Sequence, residues 1–162
     1  MTYILGARSL ANLEGVSPNM VAVAKLAITL TEQDFGFTAP QVRTAAQEAA
    51  LIAAGDSTTM HSHHIPGPEG KGPIGFGGAV DAVPWDGTQF VWEWPRLFVV
   101  ARAFKAAFAT LGIIGTWGAV WDKTMDQYDD PEAEEAAYVA RRHALGYNRV
   151  FIDGPHFEEG VN

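Results

Sequence analysis

The sequence predicts an α+β fold, a small, mainly antiparallel sheet with helices packed on it. Leu97, Val100, Ala101, Phe104, Phe108 and Leu111 recur at helical spacing, a strong apolar stripe that reads as core. Short runs rich in aromatic and β-branched residues, such as Phe35 to Thr38, read as strands. Glycine and proline crowd Pro66 to Gly78, so that stretch sustains neither a helix nor an inner strand. The 162 residues are read as one domain, 1–162, long enough to bury a core.

Composition narrows the function. Apolar residues make up 48% and charged residues 19%, a globular balance and not a disordered one. The net charge of −8 argues against nucleic acid as a partner and gives no help in approaching anionic surfaces. Without cysteine there are no disulfides and no thiolate ligands, so a transition metal would need nitrogen and oxygen donors. Met1 to Arg8 lacks the basic start and apolar run of a signal peptide. No stretch reaches 18 uninterrupted apolar residues, so no membrane insertion is expected.

In chain order, residues 1–16 read as an irregular lead-in. Ser17-Pro18 starts a helix: serine caps, and proline suits the first helical position. Asn19 to Leu30 is apolar on most sides and therefore largely buried. A second helix is expected from Pro40 or Gln41 to about Ala54, stopped by Gly55, with Val42, Ala45, Ala49 and Ile52 on one stripe. Ala79 to Val83 reads as a strand ended by Pro84, with Asp81 sharing a face with Ala79 and Val83. Asp86-Gly87 marks a turn, Pro95 opens a third helix and Gly112 ends it. Ile113 to Trp121 reads as strand and turn, and Asp122 to Asp130 as an acidic loop. A fourth helix starts at Asp130-Pro131, acidic in its first turns and basic in its last, as the helix dipole favours. Gly146 stops it, and Arg149 to Ile152 reads as a final strand.

Two clusters carry the chemistry. Met60-His61-Ser62-His63-His64 holds three of the five histidines, and Asp81 follows on its strand. Asp153-Gly154-Pro155-His156-Phe157-Glu158 adds two acids on either side of a histidine, on a turn entering a strand where His156 and Glu158 point one way and Phe157 the other. Together they offer two imidazoles and a carboxylate to one metal, with a carboxylate to spare, which is the inventory of a zinc hydrolase. Taken singly each is weak: a lone loop histidine is ordinarily a polar residue and nothing more. Arg43 taken alone is a solvated surface charge.

The pattern Ser62-x-His64-x-x-Gly67, Ala79-Val80-Asp81 and Asp153-x-Pro155-His156-Phe157-Glu158 resembles the zinc peptidases of the D-Ala-D-Ala carboxypeptidase/VanY type, peptidase family M15. It is most similar to their phage endolysin branch, the L-alanyl-D-glutamate endopeptidases. The likeness extends to Leu13 through Val23, Val42-Arg43-Thr44 and Trp117-Gly118-x-x-Trp121. It implies a hedgehog/D,D-peptidase-like fold, with zinc held by His64, Asp81 and His156. It implies Asp153 as the general base that activates water and Arg43 as a cation near the substrate carbonyl. His61 and His63 compete with His64, but His64 fits the register, and neighbours on an extended chain point oppositely. Ser62 either supports a ligand or is plain turn chemistry.

The chain departs from the pattern in three places. An insertion, roughly Pro68 to Gly77, separates the histidine from Asp81; it is either a flap or a surface loop. Val120 stands where the family often has an aspartate. The fourth helix lengthens the interval from Trp121 to Asp153, as a lid or as solvated packing. The resemblance implies a peptidase that cuts peptidoglycan stem peptides; the single-domain length fits one without a separate wall-binding domain, and a monomer is expected. It would wait in the host cytoplasm and reach the wall after holin-type release. Two alternatives stand beside it, a D-Ala-D-Ala carboxypeptidase or dipeptidase and a non-catalytic zinc-containing module. The spare acid Asp153 and the lack of a fourth protein ligand speak against the second. Calcium binding by the Asp122–Asp130 loop stays open, although its spacing is not that of an EF-hand.

Overall fold

The structure, a computed structural model, describes residues 2–160 apart from Asp56, Thr58 and Met60. Met60, at the head of the histidine stretch, therefore lies outside the described residues. The elements in order are α1 (Ala7–Asn12), α2 (Pro18–Leu30), β1 (Phe35–Gly36), α3 (Ala45–Ala54), β2 (Ala79–Asp81), β3 (Val83–Pro84), α4 (Trp94–Leu111), β4 (Gly115–Trp117), β5 (Val120–Thr124), α5 (Pro131–Ala144) and β6 (His156–Glu159). The main sheet has the order β2-β6-β4-β5, every neighbour antiparallel. Strands β1 and β3 pair separately. This is the expected α+β architecture. No described helix is long and apolar enough to cross a membrane.

Helices α2 and α4 pack on each other and cover one face of the sheet. Ser17 caps α2 by accepting from the Met20 amide at 3.2 Å, and Asp130 caps α5 by accepting from Glu132 at 2.8 Å. Gly112 ends α4 with φ +65°, a left-handed conformation that glycine adopts without strain. The core centres on Phe157 of β6. Its ring stacks on Phe104 of α4 at 3.9 Å and lies nearly parallel to Trp117 of β4 at 6.4 Å.

Several expectations need correction. Residues 7–12 form a short helix, held from outside: Ser9 Oγ accepts from the Phe37 amide and Asn12 donates to the Phe37 carbonyl. Helix α3 starts at Ala45, not Pro40, because Thr44 and Gln47 form a reciprocal capping box there. Within it Glu48 is the one buried residue. Leu111, at the end of the α4 stripe, is exposed. The run from Ala79 to Pro84 divides between two sheets, β2 in the main one and β3 against β1. The last strand is His156–Glu159, and Arg149 to Ile152 has no strand pairing. Asp122 belongs to β5 and is held by Arg141 at 2.9 Å, so the acidic stretch is partly sheet. Helix α5 packs on β5 and α4 with Tyr138 buried, the solvated packing of the two readings above.

Phe157→Ala should cost about 3–5 kcal/mol, the usual penalty for emptying a buried aromatic site. Urea denaturation would read this as a lower midpoint, and a loss below about 1 kcal/mol would show that the stack does not organise the core.

Candidate active site

The site grows out of strand register. In the pairing of β2 with β6, Asp81 lies opposite His156, Val80 opposite Phe157 and Ala79 opposite Glu158. Side chains alternate across a sheet, so Val80 and Phe157 enter the core while Asp81, His156 and Glu158 share the other face. His64 reaches the same point from the loop between α3 and β2. Its backbone carbonyl accepts from the Arg43 amide at 3.0 Å, and its own amide donates to Ser62 Oγ at 3.2 Å. Ser62 thus acts through turn chemistry that positions the histidine.

Three donor atoms meet there. His64 Nε2 is 3.2 Å from Asp81 Oδ1 and 3.2 Å from His156 Nδ1, and His156 Nδ1 is 3.1 Å from Asp81 Oδ1. A tetrahedral ion with bonds of about 2.0 Å sets its donors about 3.3 Å apart, so the triangle fits a zinc-sized cation. The far side of each ring fixes its tautomer. His64 Nδ1 donates to the Gln41 carbonyl at 2.7 Å, and His156 Nε2 donates to Glu158 at 2.9 Å. With those nitrogens protonated, neutral rings turn two lone pairs onto a carboxylate oxygen. Such a contact is repulsive unless a proton or a cation lies among the three atoms. Among the described residues this is the one group of three or more potential metal donors that the fold assembles.

The titration of the site agrees. Burial alone would depress the His156 imidazole, but hydrogen bonds to Asp81 and Glu158, and their charges, lift it to about 10. The metal-free chain therefore keeps a proton where a cation would sit. Burial works against the Asp81 carboxylate as well, yet the two histidines hold it well below the usual range. Asp153 goes the other way: burial raises its carboxyl, and the nearby charge of Asp81 adds to this. The two acids of one cavity are thus pushed in opposite directions, Asp81 toward the anion and Asp153 toward the protonated form.

All five residues singled out in the sequence, Arg43, His64, Asp81, Asp153 and His156, line one cavity of about 420 Å³. Arg43 is no free surface charge. It donates to Asp81 Oδ2 at 2.8 Å and to Glu48 at 3.3 Å, so Asp81 turns one oxygen to the histidines and the other to the guanidinium. Asp153 sits on a turn whose amide donates to the Gly118 carbonyl at 2.8 Å. A Cβ at Gly118 would come within 2.9 Å of His156 Cβ, so glycine is what lets that turn lie against β4. His61 and His63 line the cavity without joining the triangle; His63 faces Glu158 at 3.6 Å.

Sequence reasoning missed four supports. Glu48 is 1% exposed and takes hydrogen bonds from Arg43 and Ser57. Gln41 binds the His64 ring through its carbonyl and the Asp81 amide through its side chain. Glu158 orients His156. Trp121 packs on His156 at 5.4 Å between ring centroids, and Phe151 stacks on Trp121 at 5.8 Å. A glutamate inside an alanine-rich helix was the one local signal for Glu48, and the alternation that puts His156 and Glu158 on one face was the signal for Glu158; Gln41 and Trp121 act through contacts far apart in sequence.

With this geometry in hand, the comparisons with known proteins are specific. A profile of the phage L-alanyl-D-glutamate peptidase family matches residues 1–159. The chain belongs to this family. The L-alanyl-D-glutamate peptidase of Escherichia phage T5 is 31% identical over 134 residues, 80% of this chain and 90% of that one. The crystal structure of the Serratia marcescens L-Ala D-Glu endopeptidase ChiX superposes with a TM-score of 0.66 at 27% identity, covering 98% of this chain and 91% of the other. Membership of the family agrees with the M15-type resemblance read from the motifs.

Glu48→Ala should lower stability by about 1–3 kcal/mol, because Arg43 and Ser57 lose a buried acceptor. Glu48→Gln, which keeps an acceptor for Ser57, should cost less. Chemical denaturation measures both, and equal losses would mean that the charge facing Arg43, which both variants remove, carries the whole effect and the acceptor for Ser57 none of it.

Proposed function

We propose that this chain is a zinc peptidase of a single catalytic domain that hydrolyses the bond between L-alanine and D-glutamate in peptidoglycan stem peptides, as a phage lysin. The observation that carries the reading is the donor triangle of His64, Asp81 and His156 beside the raised carboxyl of Asp153. It occurs in a chain of the L-alanyl-D-glutamate peptidase family. In this reading His64, Asp81 and His156 hold the zinc. When bound, the ion supplies Lewis acidity, polarising the scissile carbonyl and making water acidic enough to attack near neutral pH.

The chain's own residues do the rest. Asp153 accepts a proton from the attacking water as its oxygen adds to the alanyl carbonyl carbon. It returns that proton to the glutamyl nitrogen as the C–N bond breaks, so one water is consumed and a carboxyl and an amine are released. A base that must give its proton back works best with a pKa near the working pH, which is the direction burial pushes Asp153. Arg43 keeps Asp81 oriented through Oδ2 and turns its remaining N–H groups toward the developing oxyanion. Gln41 and Glu158 fix the ring tautomers so that both imidazoles present lone pairs. The expected route to the wall is holin-type release from the host cytoplasm.

Asp153→Asn should reduce cleavage of a synthetic stem peptide about 10²–10⁴-fold while the folded chain still takes up zinc. Mass spectrometry of wild-type digests should show fragments with a new glutamyl amino terminus; free D-alanine as the product would instead establish the carboxypeptidase alternative.

Zinc uptake should also release about one proton per ion near pH 8, because His156 is protonated below about 10 without metal and must be neutral to ligate. Apparent affinity should then climb by up to about tenfold per pH unit toward pH 10. Calorimetry in two buffers of different ionisation heat reads the proton count; uptake without release would remove His156 from the ligand set.

A further inference from the structure

We infer that Lys71, carried by the inserted loop, binds the free carboxylate of the glutamyl residue on the leaving side of the scissile bond. The inference rests on the function proposed above and names a substrate contact within it. A glutamyl residue has two carboxyl groups, and chain continuation uses one. A substrate cut between alanine and glutamate therefore brings a carboxylate close to the scissile amide. The cavity it enters is lined by Glu48, Asp81, Asp153 and Glu158, in a chain of net charge −8. Uncompensated, that lining repels an anionic substrate.

Among the described residues, the arginine and lysine side chains that line the cavity are Arg43 and Lys71. Arg43 is engaged by Asp81 at 2.8 Å and Glu48 at 3.3 Å. Lys71 has no carboxylate within 4.0 Å among the described residues, and it is exposed at the cavity wall. Its position is nonetheless fixed. The Lys71 amide donates to the Ser62 carbonyl at 3.1 Å, and the Gly72 amide to the Ile65 carbonyl at 3.0 Å. The flanking glycines make this approach steric as well: a Cβ on Gly70 would lie 2.7 Å from the Ser62 carbonyl oxygen, and one on Gly72 2.8 Å from that of Ile65. The insertion is thus folded onto the segment that carries His64, and it delivers one ammonium group to the wall of the cavity. A lysine suits this task, since its flexible stem carries a compact charge to a carboxylate whose approach varies.

The competing role for Lys71 is to balance Glu158, which also lines the cavity. The two roles separate by substrate. Take two synthetic stem peptides that differ only in whether the free glutamyl carboxylate is ionisable or amidated, and measure kcat and KM for wild type, Lys71→Met and Lys71→Arg. Wild type should prefer the ionisable peptide by roughly tenfold or more in kcat/KM, the size of one charge-assisted hydrogen bond. Lys71→Met should abolish most of that preference by raising KM for the ionisable peptide alone, and Lys71→Arg should largely retain it. If Lys71→Met slows both peptides equally, or neither, the carboxylate assignment is overturned. If wild type cleaves neither peptide at the Ala–Glu bond, the proposed function falls first and this assignment with it.

Discussion

The register between β2 and β6 is the constraint on which the rest depends. Setting Asp81 opposite His156 sets Val80 opposite Phe157 by the same alternation. One pairing therefore builds the cavity on one face and seats the stacked Phe104–Phe157 pair on the other. A slip of β6 by one residue would carry His156 and Glu158 into the helix-covered core, away from Asp81, and turn Phe157 out. The apolar face thus locks the polar one: hydrophobic burial fixes Asp81 and His156 at a separation of 3.1 Å. Such a site sits on rigid elements, as placement to within fractions of an ångström demands.

Charge is the second constraint. Asp81, Asp153 and Glu158 crowd a small volume, and two of the three are held by basic partners. Asp81 divides its oxygens between the histidine pair and Arg43, and Glu158 is tied to His156. Arg43 is held in turn by buried Glu48 on α3. The raised His156 imidazole shows how far this acidic shell favours positive charge at its centre. A proton satisfies that demand in the metal-free chain, and a divalent ion would satisfy it more fully. Burial pushes the Asp153 carboxyl upward, and the nearby charge of Asp81 adds to it.

Much of this was legible along the chain, and what was not has a common cause. The caps at Ser17 and Asp130 and the stop at Gly112 are local chemistry, and they read correctly. His64, Asp81, Asp153, His156 and Arg43 were legible because a motif pattern joined them, although each was weak singly. The start of α3 misread because Pro40 and Gln41 look like a helix opening. Gln41 is in fact engaged by Asn12, Ala39, His64 and Asp81, contacts that only the folded chain makes. Glu48 sits in a helix of alanines, where periodicity would leave a glutamate to solvent. Its burial follows from Arg43 and from Ser57, beyond the end of the helix.

The departures from the family pattern fall where they leave the centre intact. Val120 is fully buried in the hydrophobic core, while its neighbour Trp121 turns to the cavity and packs on His156. In this chain an acid at position 120 would meet core and not substrate, so valine there removes no group from the cavity. Helix α5 contributes none of the residues that line the cavity; its effect arrives through the segment that follows, where Phe151 stacks on Trp121. The insertion after Gly67 folds back on the His64 segment through backbone hydrogen bonds and adds Lys71 to the wall. Both added stretches thus reach the site only at its rim, one with an apolar ring and one with a cation. A fixed centre with a variable rim is how substrate preference can change while the chemistry of the bond does not.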